Sequence, residues 1–180
     1  MKKLTLRKIT TCGILTSFAV IAFTLENLFP PLFIPGARMG ISNVFILLSA
    51  LLLGSVYGYA TLIVKILLGS IFSGNVSSVL YSLPAGLISL TLELALICWT
   101  KKVSIIAGSI SGAVVNVTLQ NTVFCLVTGA SEYLAFLPYL ASIGIVSGCI
   151  VGFAVYLSIK KVKLPFLRDN NIIQENQSEH

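Results

Sequence analysis

Charge is what this chain has least of. Only 10% of its 180 residues are Asp, Glu, Lys or Arg, against about 25% in an ordinary soluble domain. A deficit of that size excludes a surface facing water on all sides. Asp169 is the sole aspartate and His180 the sole histidine. Paired catalytic carboxylates, a histidine-activated nucleophile and a phosphate-binding glycine loop ending in lysine are all missing. The four cysteines, Cys12, Cys98, Cys125 and Cys149, lie in apolar stretches with no CxxC spacing. They read as small apolar residues, not as metal ligands or disulfide partners. No cofactor is implied.

What remains is apolar. Hydrophobic residues make up 56% of the chain, gathered into runs of the length that one helix needs to cross a bilayer, about 20 residues. The formal charge of +6 comes from basic residues at the ends of these runs. There they set topology, so nucleic acid is not an expected partner. Met1-Lys2-Lys3 before an apolar run has the outline of a signal peptide. The run is long for an h-region and has no Ala-x-Ala site, so it reads as a retained first span.

The runs cover 9–28, 41–72, 76–99, 103–127 and 133–159. Between the first two, Pro30, Pro31, Pro35, Gly36 and Gly40 exclude a regular helix. The stretch 41–72 is too long for one comfortable span, and Gly54-Ser55-Val56-Tyr57-Gly58 offers a turn within it. Charge parity decides the count. Lys2, Lys3, Arg7 and Lys8 precede the first run, Lys101 and Lys102 lie between the third and the fourth, and Lys160, Lys161, Lys163 and Arg168 follow the last. The positive-inside rule wants all three clusters in the cytoplasm, which requires an even number of spans. The expectation is an all-α integral membrane bundle of six transmembrane helices over residues 1–163. A disordered cytoplasmic tail over 164–180 follows, with both termini cytoplasmic. The lipid bilayer is then the first partner.

Gly144, Gly148 and Gly152 recur every four residues, as do Gly108 and Gly112. Such stripes bring helix backbones together in lipid, either inside the bundle or against another subunit.

Ionisable groups inside a membrane are functional candidates by default. Lys65 and Glu93 are the deepest, at similar depth in the third and fourth spans, and they form a candidate intramembrane ion pair. Toward the outer face, distant segments deliver Arg38, Asn43, Asn75, Tyr81, Asn116 and Gln120 to one level. Asn116 and Gln120 lie four apart, on one helical face. Amide groups cannot be left to lipid. The cluster is either a polar network of its own or the lining of a pocket open to the outside. In the second case Arg38 suits an anionic group on a small-molecule ligand. The loop with Pro35, Gly36 and Gly40 would be its lid, stiffened by proline and jointed at glycine.

The stretch from Glu26 to Asn43, with Pro30-Pro31 and Pro35-Gly36-Ala37-Arg38-Met39-Gly40-Ile41-Ser42-Asn43, resembles the signature of the bacterial Gx transporter family. That family is also named heptaprenyl diphosphate synthase component I. Gly69-Ser70-Ile71-Phe72-Ser73-Gly74 and Tyr81-Ser82-Leu83-Pro84-Ala85-Gly86 resemble its later segments. The family is similar to the S components of energy-coupling factor transporters. Those are six-helix proteins that capture micronutrients and associate with a transmembrane coupling protein and two ATPases. The resemblance implies a substrate-binding component in the bacterial cytoplasmic membrane. The alternative is a noncatalytic membrane subunit of prenyl or quinone metabolism. Prenyl synthases bind magnesium and diphosphate through aspartate-rich motifs, which a chain with one aspartate cannot supply, so no enzyme is expected.

Overall fold

The computed structural model describes residues 2–28, 40–99, 103–129 and 131–161. Within them lie six α-helices: α1 (Lys2–Leu28), α2 (Ser42–Leu53), α3 (Ser55–Phe72), α4 (Ser78–Trp99), α5 (Ile105–Thr128) and α6 (Leu137–Lys161). A 3-10 turn at Ser131–Phe136 leads into α6, and the described residues contain no strand. The all-α membrane bundle read from composition is the fold found. The expectations for Lys101, Lys102 and the tail 164–180 lie outside the described residues.

Five of the helices are long and apolar enough to cross a membrane. The exception is α2, whose 12 residues rise about 18 Å against a hydrocarbon core about 30 Å thick. The break in 41–72 is narrower than its sequence suggests. Gly54 alone separates α2 from α3, at φ 117°, a conformation that side-chain-bearing residues rarely adopt. Gly58 belongs to α3, where its missing Cβ lets Ala50 of α2 pack directly on its backbone. The segment 131–136 is likewise a 3-10 turn where a loop and the start of a span were expected.

Helix directions follow from the pairs in contact. On α1 and α2, Phe18 stacks on Phe45 and Glu26 meets Ser42, so these helices run antiparallel. On α1 and α3, Thr16 meets Thr61 and Phe23 covers Gly69, so these run parallel. On α5 and α6, Gly144 abuts Val114, Gly148 abuts Ile110 and Gly152 abuts Ile106, an antiparallel seam. A Cβ placed on Gly148 would lie 2.6 Å from the Ile110 Cα. The glycine stripe of α6 is therefore consumed inside the bundle. Gly108 and Gly112 face the other way, toward Ile97 and Glu93 of α4.

The result is two three-helix halves, α1–α3 and α4–α6, joined where α3 meets α4 and α2 meets α6. An apolar cluster across the joint includes Leu47, Ile66, Leu90, Leu94 and Val155. The outward faces are apolar as well: Leu6, Ile9 and Phe18 on α1 and Val146, Ile150 and Phe153 on α6 are exposed. On a soluble protein that would be an aggregation surface. Here it is the face a multi-pass membrane protein turns to lipid. Cys98 and Cys149 share this exposure, whereas Cys125 is buried.

Candidate functional site

Between the halves lies a cavity of about 70 Å³, room for several waters at roughly 10–15 Å³ each. It takes residues from all six helices. It extends from Glu26, near the C-terminal end of α1, to Glu93, two-thirds of the way along α4. The shortness of α2 contributes to its shape. Because this helix starts only at Ser42, its first turn and the preceding Gly40 line the space.

The acidic and basic groups are held in distinct ways. Glu26 accepts a hydrogen bond from the backbone N–H of Ser42 at 2.9 Å. An anionic group there satisfies an end-of-helix donor and complements the α2 dipole. Lys65 is 5% exposed. Its ammonium donates to Asn43 Oδ1 at 2.9 Å and stands 5.1 Å from the centre of the Phe23 ring, within cation–π range. That ring is seated on Gly69, where a Cβ would collide with it. Glu93 is placed by two features of α5. Ser109 stands with it in the cavity lining, and Gly112 makes room for it, since a Cβ on Gly112 would lie 3.1 Å from Glu93 Oε2.

The neutral groups divide similarly. Gln120 Nε2 donates to Ser82 Oγ at 2.7 Å, tying α5 to α4. Ser89 bonds back to the Gly86 carbonyl of its own helix. Asn116, one turn from Gln120 and midway along α5, also lines the cavity. Its side chain makes no hydrogen bond with the described residues and is not among the groups sealed from solvent.

Of the residues the sequence singled out, Gly40, Asn43, Lys65, Glu93, Asn116 and Gln120 line this one cavity. Asn75 and Tyr81 do not. Asn75 is exposed in the α3–α4 turn, where its carbonyl accepts from Ser78. Tyr81 packs edge-on against Phe124, with ring centres 5.5 Å apart. Arg38, Pro35 and Gly36 lie outside the described residues. Sequence reasoning missed Glu26, Ser42, Ser82, Ser109 and Ser147 as lining residues. Small hydroxyls are common in membrane helices and carry no signal alone. The acidic residue closing the first apolar run was the one legible clue.

A helical bundle with apolar outer faces and a cavity lined by charged and polar groups at its centre defines a multi-pass membrane protein, and the comparisons agree. The chain belongs to the family described as heptaprenyl diphosphate synthase component I, whose model matches residues 15–157. That stretch includes every described residue lining the cavity. No curated protein and no solved structure matches the chain.

Proposed function

We propose that this protein is the membrane-embedded substrate-binding component of a micronutrient uptake transporter and that the cavity between its halves holds the small-molecule ligand. Asn116 carries the reading. A side-chain amide midway along a membrane helix, open to a cavity and without a partner among the described residues, needs water or a ligand to satisfy it. Pockets that orient a small molecule combine apolar walls with a few placed polar groups, and Ile46, Leu62 and Val117 stand beside Asn43, Asn116 and Gln120 here.

In this account the chain sits in a bacterial cytoplasmic membrane with both termini inside. The α1–α2 loop, containing Arg38, Pro35 and Gly36, is assigned to the outer face, with the role of a lid. Arg38 offers a contact for an anionic group. The protein is not an enzyme. Inward release falls to a partner, a coupling transmembrane protein with ATPases, because this sequence has no nucleotide-binding motif.

The test is to purify the full chain and identify by mass spectrometry whatever small organic molecule accompanies it. One compound, in an amount that follows the protein and drops in Asn116→Ala, is the expected result. Protein free of any such compound, after growth in medium containing all micronutrients, counts against the proposal. For orientation, Asn75→Cys should react with an impermeant thiol reagent on intact cells and Ser104→Cys should not, in a chain whose four native cysteines are replaced by serine.

The family description favours a second reading, a noncatalytic membrane subunit attached to a prenyl diphosphate synthase. Stable co-purification with a soluble prenyl synthase chain would support it over the first.

A further inference from the structure

The cavity's charged groups differ in how much of their bonding capacity the protein has used, and that difference specifies a ligand. Glu26 is engaged with the first turn of α2. Lys65, the one cation among the described lining residues, donates to Asn43 and stands against the Phe23 ring. Glu93 lines the cavity with its carboxyl against the bare Gly112 backbone, and a carboxylate offers about four acceptor positions. The absence of a side chain at Gly112 leaves the carboxyl lying along the cavity wall, not packed away. An under-used carboxylate inside a membrane protein is costly unless a counter-charge or donors reach it.

The geometry points to a small amphoteric ligand, carrying a protonated amine or N–H-bearing nitrogen heterocycle that docks on Glu93 and an acceptor or anionic group that docks at Lys65 and Asn43. Glu93 and Lys65 come from different helices, so the ligand bridges α4 to α3 and closes the joint between the halves. The inference rests on the reading of the cavity as a ligand site and adds the chemical class. It also sharpens the expectation of an anionic ligand drawn from Arg38: the anionic end has Lys65 to meet, and the cationic end has Glu93.

The experiment uses the full chain in lipid nanodiscs and a panel of small molecules sorted into amphoteric, purely cationic, purely anionic and neutral sets. Thermal unfolding finds the stabilisers and calorimetry measures them. Amphoteric compounds should be the strongest stabilisers. Glu93→Gln, which keeps side-chain size but removes the charge, should weaken them about 10- to 100-fold, the effect of losing a charge-assisted hydrogen bond. Glu93→Asp, which keeps the charge on a shorter arm, should fall between, and this guards against a folding defect in the first variant. Purely anionic or neutral compounds that bind best, with affinity unchanged in Glu93→Gln, would overturn the inference and leave the binding role standing. Binding by no member of any set would overturn both.

Discussion

The α5–α6 seam and the cavity between the halves use the same small residues for opposite ends. At the seam, Gly144, Gly148 and Gly152 remove side chains so that the neighbouring backbone can fill the space. In the cavity, Gly112 and Gly40 remove side chains so that Glu93, Asn43 and Ser147 can occupy it. In lipid no hydrophobic effect drives one apolar helix onto another, so close backbone packing is what holds the seam. A polar group at the same depth needs a partner or water. Glycine in a membrane helix therefore says that something approaches closely, and only the neighbour tells whether that something is backbone or chemistry.

Breaking the seam should have the largest effect. Gly148→Leu drives a branched side chain into the Ile110 backbone. It should cost about 3 kcal/mol, the upper end for overpacking, read as a fall in unfolding temperature in detergent or as loss of folded protein. Ligand affinity per folded molecule should change less, because the stripe is not part of the lining.

Asn43→Ala sharpens the comparison from the other side. It takes away an acceptor of the Lys65 ammonium, which should cost about 2 kcal/mol in the same unfolding assay. Replacing Lys65 by Met in the Asn43→Ala background should recover part of that loss, because the buried charge that used this acceptor is removed with it. An additive loss instead would show that the Asn43 contact is incidental to how Lys65 is carried.

Gln120→Ala should have the smallest effect on stability, about 1 kcal/mol, the net worth of its hydrogen bond to Ser82 between α5 and α4. An effect as large as that of Gly148→Leu would mean the cavity wall, not the seam, holds the α4–α6 half together.

Much of this division was legible in the sequence, and the failures share one cause. Run lengths and the break at Gly54 located the helices. The four-residue spacing of Asn116 and Gln120 placed both on the cavity side, because that spacing fixes direction around the helix. Asn75 and Tyr81 were grouped with them by depth alone, and depth counted in residues says nothing about which way a side chain faces. Asn121 makes the point: one position beyond Gln120, it turns away to bond the Tyr133 carbonyl. The role of Glu26 depends on where α2 begins. That start is set by the fold around Gly40, whose φ is 69°, and not by any capping residue at Ile41.

The central claim is that the cavity, and not the loop ends of the bundle, holds the ligand. The most direct measurement is calorimetry of the compound that co-purifies with the protein. Three forms of the full chain should be compared in nanodiscs: the unaltered protein, Asn116→Leu and Asn75→Ala. Asn116→Leu keeps about the same volume while removing the cavity's open amide. The account predicts at least about a tenfold loss of affinity for it, the worth of one buried hydrogen bond left unmade, and less than about a twofold change for the exposed Asn75→Ala. Equal affinity in all three forms, or a loss confined to Asn75→Ala, would contradict it.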